Sequence, residues 1–330
     1  MTVKWGVTGA GGIADKRIIP AIREAKNSEI ASLMVRNLGR AKKLANKHGA
    51  KGYYDNVPDL LKDEQIDAVY IATPVYLHCE QTIQAAEHGK HVLCEKPMAM
   101  TVEECKRMIS ACKKNRVKLM IGFMMRFHSY HQKIKQLIDE RVLGRIIQIR
   151  AQLHLWYPDA PGSWRQDPKL GGGGSLMDLG AHCLDLLRFF LGESTRVMAM
   201  VDTVAFDYPV EDTATVILKF ENRAQGIIDA CFNIPHRENL LEVYGTKGTI
   251  LASRTIGPFE DPKTKLITDE GVKELDIPYI NKYEAEIEHF SECIEKDLEP
   301  SITGMDGLKN TQLILAAYES AKSGRAVEAN

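Results

Sequence analysis

Two patterns of apolar spacing divide the 330-residue chain. Over the first third, short apolar runs alternate with stretches of helical periodicity. Residues 3–8 form an apolar run ending in glycines, and residues 13–25 carry a helical repeat. Strand signals recur at 29–35, 68–73, 91–95 and 117–123, with helical patterns at 39–48, 78–89 and 101–115. Gly49 stops the second helix, and Thr101 with Glu104 forms a capping box for the last. Such alternation implies right-handed crossovers and a doubly wound parallel sheet. After about residue 126 the pattern changes. A helix at 131–140 and a long strand at 145–155 precede a helix that follows Gly171 to Gly174. Strand-like runs then succeed one another at 197–206, 213–220, 225–233, 240–244 and 249–252, with a turn at 244–248. That succession predicts an antiparallel sheet with helices on one face. Helices at 282–296 and 304–323 close the chain. The expected organisation is a doubly wound α/β domain over 1–123 and an α+β domain over 124–330.

Composition narrows the partners. A hydrophobic content of 44% is enough for two cores. The formal net charge is -1 and no basic stripe appears, which argues against nucleic acid and anionic membranes. No apolar run approaches a membrane span, and the opening MTVKWGVTGAGG reads as a strand and turn, not a secretory signal. The seven cysteines are scattered and form no CxxC, as suits buried thiols in a reducing compartment. The expected location is the cytoplasm.

Gly9-Ala-Gly-Gly-Ile-Ala14 fits G-x-G-x-x-A, and it follows a strand and opens a helix. Gly9 is expected to make the tight turn, Gly11 to let backbone approach a pyrophosphate, and Ala14 to let the helix close on the sheet. Gly12 and Ile13 complete the loop at the positive helix end. Where an NAD site offers Asp or Glu to the ribose, this chain reads Val35-Arg36-Asn37. Val35 cannot accept that bond, whereas Arg36 suits a 2′-phosphate, so NADP is favoured over NAD. Arg40 is either a helper or an ordinary helix charge. Ligands of open α/β sheets lie beyond the carboxyl ends of strands. That rule brings in Thr73, Pro74 and His78 after one strand and Glu95, Lys96 and Pro97 after another. Lys96 can stabilise negative charge developing on a substrate oxygen. A cis Lys96–Pro97 bond is an option that proline opens.

The stretch SLMDLGAHCLD, residues 175–185, raises the main chemical question. On a helix, Asp178, His182 and Asp185 fall at i, i+4 and i+7 and form one polar stripe. Burying such a stripe is costly unless it is satisfied. The glycines before it permit a sharp turn or a close approach. Three uses fit: a buried Asp178–His182 hydrogen-bonded pair, a metal site, or a proton-exchanging His182 with Asp178 orienting the substrate or the imidazole. The metal use ranks last, because no third ligand stands at a recognised spacing and H-E-x-x-H is absent. Arg126, His154, Trp156, Tyr157, Trp164, Arg165 and Tyr283 are polar or aromatic residues that suit either the lining of a ligand pocket or ordinary packing and surface charge, with Arg126, Arg165 and Tyr283 foremost for the pocket.

The glycine motif, Thr73-Pro74 with His78, Glu95-Lys96-Pro97 and the Asp178/His182/Asp185 segment occur in an order and at distances that resemble the Gfo/Idh/MocA family, which includes glucose–fructose oxidoreductase and inositol dehydrogenase. The resemblance spans almost the whole chain, including Tyr283-Glu-Ala-Glu-Ile-Glu-His-Phe290. It implies a Rossmann domain, an α+β domain with a large open antiparallel sheet, and a nicotinamide cofactor. It also implies interconversion of a hydroxyl and a ketone on a sugar or cyclic polyol, with Lys96, Asp178 and His182 as the catalytic set. Trp164-Arg165 matches a recurring pair. Association through the exposed sheet face, as dimers or tetramers, is a further implication. Val35-Arg36 departs from the acidic NAD version, and the fourth glycine is an addition. Two other functions suit the same fold: an NAD-dependent glycosidase, and a dinucleotide-binding regulator, which would need the glycine turn but not Lys96, Asp178 and His182.

Overall fold

A computed structural model describes residues 2–259 and 261–329. The chain forms two compact units, one of residues 1–124 and 280–308, the other of residues 125–279 and 309–330.

In the first unit, six strands form one parallel sheet: β1 (Val3–Thr8), β2 (Ser28–Met34), β3 (Gly52–Tyr54), β4 (Ala68–Ile71), β5 (His91–Glu95) and β6 (Leu119–Gly122), in the order β3-β2-β1-β4-β5-β6. Helical crossovers cover such sheets on both faces, so the strands are apolar runs without alternation. All four residues of β4 are buried, as are Val3, Trp5 and Val7 of β1. The strand order reverses between β1 and β4, and that switch point is where open α/β sheets bind ligands. β3 was not legible because Gly52-Tyr-Tyr54 is short and partly exposed, and the five-residue helix Val57–Leu61, though it buries Val57, Leu60 and Leu61, is too short to show a helical repeat.

A single cut near residue 123 does not describe the compact units, since residues 280–308 return to the first. Helix Lys282–Glu295 explains why. Its Ile287 and Phe290 are fully buried, and the Phe290 ring lies 5.8 Å from that of Trp5. Trp5 Nε1 donates to Ser291 Oγ at 3.3 Å, and Ser291 shares a 2.8 Å hydrogen bond with Ser28. Burying a phenylalanine stabilises by roughly 1.5–3 kcal/mol, enough to recruit the helix to this sheet.

The second unit is built on nine strands: β7 (Ile146–His154), β8 (Ser194–Asp202), β9 (Thr213–Phe220), β10 (Gln225–Cys231), β11 (Leu241–Gly245), β12 (Gly248–Ser253), β13 (Lys263–Thr268), β14 (Gly271–Glu274) and β15 (Val327–Glu328). Their order is β14-β13-β12-β11-β7-β10-β9-β8-β15, antiparallel except for the parallel pair β7 and β10. Helix Ala181–Leu191 packs on the inner face, with Leu184 and Leu187 fully buried. A Cβ at Gly226 of β10 would collide with Leu187, so this glycine admits the helix. β13 and β14 were not legible: Lys263-Thr-Lys265 and the exposed Gly271–Glu274 lack apolar alternation, as befits strands at a charged sheet edge. The outer face exposes Met198 and Met200 of β8 and Ile217 of β9.

Candidate active site

At the carboxyl end of β1 the backbone takes the path that the glycine motif predicts. Gly9 has φ +69° and Gly12 has φ +51°, a region costly for side chains. A Cβ at Gly9 would also stand 2.7 Å from the Ala72 carbonyl carbon, so the turn at β1 presses directly on the end of β4. Ala14 is fully buried and Ile13 is partly exposed. The helix that follows opens with a wide π turn, Ala14–Ile18, before the α-helix Ile19–Glu24. Above Gly11 lies Arg40, whose Nη2 would be 3.1 Å from a Cβ there. Bare backbone beneath a guanidinium is a cradle that suits a dinucleotide's phosphates. Arg36 is exposed at the end of β2, with no acidic side chain at positions 35 to 37. Asn37 serves the local helix: its Oδ1 accepts the Arg40 N–H at 2.8 Å and caps helix Leu38–His48.

The ends of β4 and β5 are tied together by buried side chains. Gln81 Oε1 accepts from Thr8 Oγ1 at 3.0 Å and from Thr73 Oγ1 at 3.1 Å. Pro74 opens a short 3₁₀ turn, Val75–Leu77. His78 is 1% exposed, with Nδ1 3.0 Å from the Pro97 carbonyl and Nε2 2.9 Å from that of Thr73. Burial pushes its pKa down, against the pull of these carbonyls. The ring therefore braces the two loops that follow β4 and β5. The Lys96–Pro97 bond is cis. Glu95 accepts the Tyr70 hydroxyl at 2.7 Å and lies 3.3 Å from the Lys96 N–H. Tyr70 is fully buried, and burial followed by the Glu95 charge holds its phenol well above the ordinary value. Tyr283, at the start of helix Lys282–Glu295, belongs to the same unit as Lys96.

Asp178, His182 and Asp185 lie in the second unit. The segment again starts with a π turn, Leu176–Gly180, and continues as the α-helix Ala181–Leu191. Turns of this kind are rare and recur at functional positions. His182 is 6% exposed and Asp185 is fully buried. Asp185 accepts from Arg126 in a fork, Nε to Oδ2 at 2.9 Å and Nη2 to Oδ1 at 2.6 Å. Arg126, expected as a substrate contact, is thus engaged with the helix itself. Arg165 donates to Asp178 Oδ2 at 3.2 Å, and its guanidinium lies 4.2 Å from the Trp164 ring centroid. The structure therefore brings Trp164, Arg165 and Asp178 together, with Asp178 held beside a cation.

Sequence reasoning missed what the glycines are for. A Cβ at Gly171 would stand 2.9 Å from the Trp164 carbonyl oxygen, and Gly172 has φ +79°. Cβ atoms at Gly173 and Gly174 would collide with the Tyr318 hydroxyl and the Glu211 carbonyl oxygen. Glu211 accepts the N–H groups of Gly174 and Leu176, each at 2.9 Å, and the Tyr318 hydroxyl at 2.7 Å. Its neighbour Asp212 accepts from the N–H groups of Val204, Ala205 and Phe206 at 2.9, 2.8 and 3.0 Å. This holds Phe206 5.2 Å from Trp156 and 5.4 Å from Tyr208, an aromatic cluster not foreseen beyond Trp156. A Glu-Asp pair at the start of a strand was the signal available for it.

Two family models match this chain. One, the oxidoreductase family with an NAD-binding Rossmann fold (GFO_IDH_MocA), matches residues 3–123, and the GFO/IDH/MocA C-terminal domain matches residues 131–251. The chain is 32% identical over 327 residues to 1,5-anhydro-D-fructose reductase of Ensifer adhaerens, covering 98% of each chain. It is 31% identical to D-xylose 1-dehydrogenase (NADP(+)) 2 of Haloferax volcanii, covering 98% of this chain and 99% of that one. Among solved structures, aldose-aldose oxidoreductase from Caulobacter crescentus, complexed with glycerol, superposes with a TM-score of 0.93 at 31% identity, covering 99% of this chain and 100% of the other.

Proposed function

The chain belongs to the Gfo/Idh/MocA family of oxidoreductases, and on that premise we propose that it interconverts a hydroxyl and a ketone, or a sugar and its lactone, with NADP(H). The single observation that carries the proposal is the glycine cradle under Arg40, in a chain that also keeps Lys96, Asp178 and His182. Relatives named for anhydrofructose reduction and NADP-linked xylose oxidation support a sugar as the substrate.

Gly9, Gly11 and Gly12 present backbone to the pyrophosphate, and Arg36 and Arg40 receive the 2′-phosphate. When bound, the dinucleotide accepts or supplies the hydride. In the oxidising direction His182 takes the hydroxyl proton of the substrate. Lys96 stabilises the charge that develops on the oxygen. Asp178, oriented by Arg165, holds a neighbouring hydroxyl, and Trp164 offers the sugar an aromatic face. Arg126 serves the site by fixing Asp185. Tyr283 is a further substrate contact in this proposal. Self-association through the outer face of the nine-stranded sheet, where Met198, Met200 and Ile217 are exposed, accompanies it.

The test is to titrate NADPH and NADH separately, following nicotinamide fluorescence, in the wild type and in Arg36→Ala and Arg40→Ala. A hydrogen bond to a charged group contributes about 1.5–3 kcal/mol, so Arg36→Ala is expected to weaken NADPH binding ~10- to 100-fold and to leave NADH unaffected, whereas Arg40→Ala, which also removes the cation above Gly11, weakens both. Equal affinity for NADH and NADPH in the wild type contradicts the NADP assignment.

A further inference from the structure

We propose that Glu211 is a positioning residue that sets the pose of the helix carrying Asp178 and His182, with Tyr318 as its support. This rests on the reading that His182 exchanges the substrate proton.

Every helix begins with backbone N–H groups that lack helical partners, and a side chain just before the helix usually caps one of them. No such cap operates here. Gly171 to Gly174 have no side chains, and Ser175 makes no capping bond. Glu211, 37 residues from Gly174, takes over. Its Oε2 accepts the Gly174 N–H at 2.9 Å, its Oε1 accepts the Leu176 N–H at 2.9 Å, and its backbone carbonyl accepts the Ser175 N–H at 3.0 Å. One residue therefore captures three successive N–H groups. Tyr318 donates its hydroxyl to Oε1 at 2.7 Å.

The glycines are the counterpart of this clamp. Side chains at 173 and 174 would strike Tyr318 and Glu211, so the bare backbone is what lets both approach. The Asp178 N–H then closes an ordinary turn on the Gly174 carbonyl at 3.0 Å, and the wide turn is closed by the Ala181 N–H on the Leu176 carbonyl. Position and rotation of that turn decide where Asp178 points and, one turn later, where His182 points. Misplacing a catalytic group by about 1 Å costs on the order of 10²-fold in rate. In Glu211→Gln one carboxylate oxygen becomes an NH₂ group that faces a backbone N–H, so one of the two donors loses its acceptor.

The experiment compares Glu211→Gln, Tyr318→Phe and His182→Asn in the full chain. The probes are D-xylose with NADP+ and 1,5-anhydro-D-fructose with NADPH, and hydrogen exchange across 171–186 is read alongside. Glu211→Gln is expected to lower kcat ~10- to 100-fold with KM and NADPH affinity unchanged, and to speed exchange in 174–178 alone. Tyr318→Phe keeps the carboxylate and shifts both readouts less, in the same direction. Glu211→Gln that keeps kcat while His182→Asn loses it overturns the clamp. Loss of kcat, KM and NADPH affinity together also overturns it, because that pattern marks a purely structural role. Wild-type turnover in His182→Asn overturns the acid–base reading instead, and the exchange data then decide whether Glu211 holds the helix. Should Glu211→Gln not fold, unchanged exchange and kcat in Tyr318→Phe overturn the proposal.

Discussion

Truncating Asp185 to alanine should be severely destabilising, because it breaks the buried fork with Arg126. The Arg126 and Asp185 side chains are 11% and 1% exposed and are joined at 2.6 Å between Nη2 and Oδ1. A second bond from Nε at 2.9 Å completes the fork. Removing one member of a buried pair takes away its charge-assisted fork and costs about 3–5 kcal/mol. For a domain of roughly 150–250 residues, each kcal/mol moves the melting midpoint by about 2–4 °C, so a drop of roughly 6–20 °C is expected. Replacing both residues by apolar ones, as in Arg126→Met with Asp185→Leu, should recover most of that loss, because neither charge is then buried. Thermal unfolding followed by calorimetry reads both results, and the double-mutant cycle isolates the pair. A midpoint for Asp185→Ala within ~2 °C of wild type would refute the reasoning, since even 1 kcal/mol shifts it by that much. If Arg126→Lys raised KM without any change in melting, Arg126 would be a substrate ligand after all.

Other expectations follow from the same geometry. Gly174→Ala places a methyl group against the Glu211 carbonyl and should destabilise by about 1–3 kcal/mol in urea unfolding, with turnover falling further than stability. Glu211 and Asp212 should respond to pH in opposite senses. Burial raises the Glu211 pKa above the ordinary value, so its stabilising contribution is full below the unfolded-state value and is lost as pH rises through the folded one. The Asp212 pKa is lowered: burial opposes this, but the N–H groups of Val204, Ala205 and Phe206 and the Thr213 hydroxyl prevail. Its contribution is therefore present above the unfolded-state value and disappears as pH falls through the folded one. Stability curves of Glu211→Gln and Asp212→Asn against pH check both signs. The proposed self-association through the outer sheet face predicts that Met200→Asp, at 79% exposure, shifts the sedimenting species towards monomer in analytical ultracentrifugation without unfolding the chain, and an unchanged sedimentation profile would count against that face.

Much of this was legible in the sequence, and the exceptions have physical causes. Gly9, Gly11 and Ala14 could be assigned because strand, turn and helix are contiguous, so local pattern determines the geometry. For Asp178, His182 and Asp185 the sequence spacing predicts one helical face, but it does not display the π turn at Leu176–Gly180 from which Asp178 projects. Strands β3, β13 and β14 escaped because they are short or at an edge and carry no apolar alternation. The purpose of Gly173 and Gly174 escaped for a different reason: Glu211 and Tyr318 are 107 residues apart and neither announces a contact with glycine. For His78 and Arg126 the sequence leaves a ligand contact and a structural role both open, because charge and imidazole suit either. Folding gave them partners that the sequence does not display, the Thr73 and Pro97 carbonyls and the Asp185 carboxylate.

The most direct test of the account is the rate of NADPH formation from D-xylose, or of its consumption with 1,5-anhydro-D-fructose, in the wild type and His182→Asn side by side. Loss of a positioned proton-transfer group costs ~10²–10⁴-fold, so the variant should bind NADPH as the wild type does and turn over slower by that factor. Near-wild-type turnover in His182→Asn, or a wild type that binds NADPH tightly and changes the redox state of no sugar, would contradict the account.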